Sequence, residues 1–261
     1  MTFWRLVRCA PRLIDPVELA RRTEEVVARE SRGVQLRKYY RFRLDRWYGG
    51  VATADAVGCN LRCVFCWSWR YVTRPDAHGE FYSPEEVARR LVGMARSRGI
   101  PRIRVSGAEP TIGREHLLAL LEQTSGSGLL FILETNGILI GADESYAEDL
   151  SRFRHVHIRV SLKGCTPEEF SRLTGAAPRF FEYQLRALEN LLQHGASFHP
   201  SVMLGFSTEK SLLNLVVRLR EIDESLPSRL EPELLILYPA VESRIRRAGL
   251  RPTGFVLPGE A

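Results

Sequence analysis

The stretch AVGCNLRCVFCWSW, residues 56–69, decides how the rest of the chain is read. Three of the chain's five cysteines, Cys59, Cys63 and Cys66, crowd into it. An odd cysteine count in a chain with no sign of secretion argues against a disulfide framework. Thiolates select zinc or iron–sulfur clusters. A structural zinc site closes on four ligands, usually as two paired knuckles. Here there is no second pair: Cys9 and Cys165 stand alone, and the nearest histidine, His78, lies well downstream. Three thiol ligands leave one coordination position open, as in a centre that binds substrate rather than one that only holds structure.

The remaining composition suits one large domain with extensions: 261 residues, 44% of them hydrophobic. The longest apolar stretch, 128–142, is broken by Glu134 and Asn136 and cannot span a bilayer. The N-terminal MTFWRLVRCAPRL lacks the continuous apolar run of a signal peptide, so a cytoplasmic protein with no membrane partner is expected. The net charge is +6, and the basic residues are nearly all arginine; the lysines are Lys38, Lys163 and Lys210. Genomic base composition or a heat-adapted surface explains such a bias, and so does an anionic partner such as RNA. The densest basic run, RKYYRFRLDR at 37–46, alternates with period two. That pattern predicts a strand whose charged face is either solvated or in contact with RNA.

Asp15 and Pro16 open a helix that Gly33 is expected to stop, and VQLRKYYRFRL follows as a strand. These residues, 1–50, read as an N-terminal helix–strand extension. From Gly50 on, strands alternate with helices: GVATADAV, PRIRVSG, LLFILETNG, HVHIRVSLKG, ASFHPSVMLGF and ELLILYP are the six strands. Alternation of this kind gives a parallel α/β sheet, either a partial barrel or an open doubly wound sheet, with ligands at the carboxyl ends of the strands. The cysteines, Glu109, Glu134 to Gly137, and Ser161 to Lys163 all fall at such ends. Glu134 stands within a buried apolar strand, which costs several kcal/mol unless it is paired, so it needs a partner: a bound ligand, a cation or an arginine. His155 and His157 alternate on one strand and are expected on one face. Cys165 reads as a small residue before a helix cap, and Trp67 and Trp69 as cover for the cysteines.

The C-x3-C-x2-C spacing, with Phe65 before the last cysteine and a strand before the first, resembles the cluster motif of the radical S-adenosylmethionine (SAM) superfamily. The resemblance covers roughly Val51 to Pro239. It implies a partial (β/α)6 barrel core at 51–239, leaving 240–261 as a basic helix and tail. It also implies a [4Fe-4S] cluster on Cys59, Cys63 and Cys66, with SAM at the open iron. Ser106-Gly107-Ala108-Glu109-Pro110 is similar to the family's GGEP segment, whose backbone binds the SAM amine. Alanine replaces the second glycine, a mild change if its φ is negative. LETNG resembles the third-strand motif of the organic-radical-activating subgroup and brings Glu134, Thr135 and Asn136 to the cofactor. RVSLKG resembles that subgroup's fourth-strand ending. By that likeness Lys163 meets the SAM carboxylate, and Ser161 stands where the family often has an aspartate contacting ribose.

The resemblance implies an enzyme that cleaves SAM reductively to a 5′-deoxyadenosyl radical and takes hydrogen from a substrate. Its electrons would come from a low-potential donor of ferredoxin or flavodoxin type. Activating enzymes act on a partner protein, and the similar 7-carboxy-7-deazaguanine synthases on a small heterocycle. Phe65-Cys66-Trp67 with Arg70 nearby is similar to the wyosine-base synthases that act on tRNA, although those carry further N-terminal cysteines where this chain has only Cys9. A non-catalytic, metal-stabilised RNA-binding module is the reading from a different class.

Overall fold

The computed structural model describes residues 13–259; Cys9 and the N-terminal stretch read above, up to residue 12, lie outside them. In chain order the elements are α1 (Pro16–Val27), β1 (Ala28–Ser31), β2 (Val34–Asp45), β3 (Val51–Ala56), α2 (Trp69–Thr73), β4 (Glu80–Tyr82), α3 (Pro84–Ser97), β5 (Arg102–Ser106), α4 (Arg114–Thr124), β6 (Leu130–Thr135), α5 (Ile138–Ala142), α6 (Glu144–Ser151), β7 (Val156–Leu162), α7 (Pro167–Thr174), α8 (Phe181–Gln193), β8 (Phe198–Met203), α9 (Glu209–Ile222), β9 (Glu231–Glu233) and α10 (Pro239–Arg247). One sheet runs β1-β2-β3-β5-β6-β7-β8-β9, with β4 paired to β2. From β3 to β9 every neighbour is parallel, which gives six parallel strands, the expected number. No helix among the described residues is long and apolar enough to cross a membrane.

The sheet is curled, and side chains bridge its concave face over intervening strands. Arg104 on β5 reaches Asp45 on β2 at 2.8 Å, and Arg159 on β7 reaches Glu231 and Glu233 on β9, each at 2.9 Å. Strand alternation divides the two faces. Ile103 and Val105, Phe131 and Leu133, and Val156, Ile158 and Val160 are buried in the outer core with the helices. Arg104, Glu134, Arg159 and Ser161 take the inner face. A parallel strand covered by apolar layers on both sides reads as a continuous hydrophobic run. RIRVS and VHIRVS alternate instead because their second face is a charged lumen.

The N-terminal segment departs from expectation. Asp15 caps α1 as read, accepting from the Val17 and Glu18 amides at 3.0 and 3.1 Å. The helix ends at Val27 rather than at Gly33. Ala28–Ser31 turns back as a strand against β2, and Arg32 (φ 53°) with Gly33 (φ 76°) forms the two-residue hairpin turn. β2 is neither a solvated nor a simply alternating strand. A bulge between Tyr39 and Arg41 switches the face. Before it, Arg37 and Lys38 are buried; Arg37 donates to the Ile112 carbonyl at 2.8 Å. After it, Arg41 and Arg43 turn inward onto the fully buried Asp55, at 2.7 and 2.8 Å.

Two other expectations are corrected. The last parallel strand is Glu231–Glu233, not ELLILYP. Residues 235–237 pair instead with the C-terminal segment, through Leu237 N to Val256 O at 3.0 Å and Val256 N to Leu235 O at 2.9 Å. His155 and His157 do not share a face. His155 precedes β7, bonds the Thr124 hydroxyl at 3.1 Å and packs edge-on to Phe131 and Phe153. His157 pairs instead with His199 on the neighbouring strand β8, at 2.7 Å.

His116 ties α4 to the hairpin. Its ring bonds the Tyr39 hydroxyl at 3.0 Å and the Gln35 carbonyl at 2.9 Å. Burial lowers its pKa to about 4. Between pH 6.5 and 4 the unfolded chain protonates this residue and the folded chain does not, so stability present above pH 6.5 is lost as the pH falls. Roughly 3 kcal/mol should go across that window. Denaturant melts of the wild type and His116→Gln check this: the variant should lose that part of the pH slope, and parallel slopes would refute it.

Candidate active site

A cavity of about 940 Å³ opens at the carboxyl ends of the strands. Cys59, Cys63 and Cys66 line it, together with Ser106, Gly107, Ala108, Glu109, Glu134, Thr135, Asn136, Ser161 and Lys163. Of the residues that the family motifs assign to the cluster and SAM, Pro110 alone does not; it is buried.

The cysteine loop is held from four sides. Gly58, at φ +84°, passes so close to α1 that a Cβ would come within 2.6 Å of Thr23 Cγ2. The Arg62 and Val64 amides donate to the end of α7, at Thr174 O (3.0 Å) and Leu173 O (2.9 Å). The Arg62 guanidinium folds back onto the Cys59 carbonyl at 2.7 Å. From α10, Arg244 donates to the Val64 carbonyl at 3.2 Å and to the Cys66 carbonyl, with its guanidinium over the Trp69 ring. Nothing in VESRIRRAG marks which arginine turns inward, and sequence reasoning missed this clamp. Trp67 is 49% exposed and lies beside Arg41 and Arg43.

The second and third strand ends form one hydrogen-bonded block. The Glu109 carboxylate is buried and accepts four donors: Thr111 N at 3.1 Å, the Thr111 and Thr135 hydroxyls at 2.6 Å each, and Asn136 N at 2.8 Å. Its own amide donates to Gly58 O at 3.1 Å, which joins the block to the cysteine loop. Glu109 thus shapes the rim with its side chain fully engaged. Gly107 has φ +88°, and a Cβ there would stand 2.9 Å from Asp55 Cβ. Ala108 is not among the residues of positive φ, so alanine fits the position. Asn136 donates to Asn60 Oδ1 at 2.7 Å.

Glu134 finds an arginine. Arg104 Nη1 donates to it at 3.0 Å, the Tyr48 hydroxyl at 2.5 Å and Ser106 Oγ at 2.8 Å. Burial opposes its charge, but Arg104, Arg159 and the two hydroxyls outweigh burial and hold its pKa below the usual carboxylate value. Lys163 stands 5.9 Å from the centre of the Phe65 ring and contacts the Ser161 hydroxyl and Glu233. Sequence reasoning also passed over Glu231 and His199, which bond each other at 2.8 Å. Cys165 is buried and absent from the cavity lining.

The donor set fits an iron–sulfur centre. Burial pushes the Cys59 thiol up to about 12 and raises Cys63 and Cys66 as well, so these sulfurs stay protonated until a metal takes the proton's place. Asn60 Nδ2, next to Cys59, is a buried donor without a partner among the described residues, and cluster sulfur would accept from it. Among those residues no three His, Cys, Asp or Glu side chains stand as a ready metal cage. The fit rests on three thiols of the right spacing in one cavity.

The family model of the radical SAM superfamily matches residues 55–218. The chain is 31% identical over 118 residues to a probable GTP 3′,8-cyclase of Methanococcus vannielii, covering 45% of this chain and 37% of that protein. It is 35% identical over 118 residues to the GTP 3′,8-cyclase of Desulforamulus reducens, covering 44% and 34%. The chain thus matches these curated relatives over about a third of their length. Among solved structures, Streptococcus suis SuiB bound to precursor peptide SuiA aligns with a TM-score of 0.54 at 19% identity, over 66% of this chain and 36% of that one.

Proposed function

The chain belongs to the radical SAM superfamily, whose enzymes use a [4Fe-4S] cluster and SAM, and on that premise we propose that this cavity is the site of both. Cys59, Cys63 and Cys66 hold the cluster. The backbone of Ser106-Gly107-Ala108-Glu109-Pro110 receives the SAM amine, and Lys163 its carboxylate. Thr135 and Asn136 act by fixing the rim through Glu109 and Asn60, and Glu134 by anchoring Ser106. The core at 51–239 carries these groups. The extension at 1–50 contributes β2 to the same sheet, and the segment 240–261 contributes the Arg244 clamp. When bound, the two cofactors supply a 5′-deoxyadenosyl radical after one electron arrives from a ferredoxin- or flavodoxin-type donor. The chain's own part is to hold SAM and substrate in contact and to shield them from water.

The carrying observation is that the cysteine loop and three further strand ends line one cavity. Its mouth suggests the substrate class. Arg41, Arg43 and Arg46 stand there with Trp47, Tyr48 and Trp67; Arg46 is exposed and has no acid against it among the described residues. An anionic molecule with a flat ring fits this wall, in keeping with the GTP named in the relatives' activity. Exposed Leu234 and Tyr238 on the opposite wall favour a second reading, a peptide of a partner protein.

Anaerobically reconstituted protein with a low-potential reductant should convert SAM to methionine and 5′-deoxyadenosine. Zinc in place of iron, with no cleavage, would sink the proposal. GTP should bind, and more weakly in Arg46→Ala by roughly tenfold, the loss of one charge-assisted contact. Binding of neither GTP nor any other nucleotide would leave the peptide reading, and tRNA binding that falls steeply with salt would replace both.

A further inference from the structure

Ser161 leaves the end of β7 without the carboxylate expected there, and the fold delivers one from another strand. Glu233, the last residue of β9, contacts the Ser161 hydroxyl with Oε1. The same oxygen accepts from Arg159 Nη1 at 2.9 Å and from Ser201 Oγ at 3.0 Å. Its other oxygen, Oε2, has one long contact among the described residues, 3.5 Å to Lys163 Nζ. Glu233 lines the cavity with its side chain 11% exposed. One oxygen is therefore crowded with donors, while the other keeps acceptor capacity beside the lysine that the SAM carboxylate would claim.

Two features follow for a ligand here. An under-used carboxylate oxygen on a cavity wall calls for O–H donors, and a sugar's adjacent hydroxyls supply a pair of them. Lys163 can also leave Glu233 without stranding a buried charge, because Arg159 stays on it. We propose that Glu233 is a cofactor-binding residue, accepting hydrogen bonds from the ribose hydroxyls of SAM and supplying from β9 the carboxylate that Ser161 lacks on β7. The assignment rests on the reading of this cavity as the SAM site.

The test is equilibrium binding to the anaerobic, cluster-loaded protein, with S-adenosylhomocysteine and its 2′,3′-dideoxy analogue as probes. Glu233→Gln should weaken S-adenosylhomocysteine by roughly ten- to a hundredfold, the range of a charge-assisted hydrogen bond. It should leave the dideoxy analogue unchanged or slightly tighter, since Lys163 is then freer. The double variant Ser161→Asp/Glu233→Gln should recover much of the loss by returning a carboxylate to β7. If Glu233→Gln does not fold, Glu233→Asp, which keeps the charge but shortens the reach, should show a smaller loss confined to the hydroxyl-bearing probe. Equal weakening of both probes, or of neither, overturns the assignment. A wild-type protein that binds neither probe overturns instead the placing of SAM in this cavity.

Discussion

Replacing Cys59, Cys63 or Cys66 with alanine should abolish the cluster while leaving the chain folded. Each variant, reconstituted with iron and sulfide, should keep near-background iron and lose the visible absorption. SAM cleavage should fall at least about a thousandfold, equivalent to about 4 kcal/mol of barrier. The three thiols share one cavity wall and have no protein substitute: Cys165 is buried away from that lining, and no other cysteine among the described residues remains. Folding should survive, because the loop is held by Gly58, Arg62, Val64 and Arg244 rather than by sulfur contacts. Cys165→Ala is the control and should keep full iron content. A Cys63→Ala protein that still binds four irons and cleaves SAM would remove these residues as ligands.

Much of that site was legible because its residues are consecutive. Three cysteines in one loop, SGAEP, LETNG and SLKG can each be read without knowing what faces them, and the strand count places all four on one rim. What escaped depends on pairing across the sheet. The bulge at Tyr40 adds one residue to β2, and nothing in RKYYRFRLDR announces it, so the period-two reading set Arg37 on the same charged face as Arg41 and Arg43, which the bulge parts. Gly33 looks the same as a helix stop and as a hairpin turn until the partner strand is known. Glu233 was read inside an apolar final strand because ELLILYP looks like one. Its role as the last lumen carboxylate becomes visible only once β9 is found to end there. The cost of burying Glu134 did show that it needed a partner, yet burial cost carries no address. Arg104 is reached through the pleat of β5, and RIRVS could have been read as a strand with one charged face.

That partnership sets the largest expected effect on stability. Arg104 is 5% exposed and joins two carboxylates that are themselves 10% and 20% exposed, Asp45 and Glu134. Arg104→Met keeps most of the side chain's volume and removes its charge. Glu134 then remains in the lumen without its paired cation and Asp45 keeps only Arg43, and removing one partner of a buried ion pair costs about 3–5 kcal/mol. Against a total stability of roughly 5–15 kcal/mol, that loss brings the fold near its limit. The denaturant midpoint should fall sharply at unchanged slope. Arg21→Ala, which breaks an equally short pair with Glu18 on the exposed face of α1, should leave the midpoint nearly unchanged, because water and salt screen an exposed pair. Adding Asp45→Asn and Glu134→Gln to Arg104→Met should restore much of the loss, because the penalty lies in the stranded charges rather than in the missing attraction. If the single variant melts like the wild type, the lumen is wet enough to screen these charges, and the rigidity of the rim has to come from the Glu109 block alone.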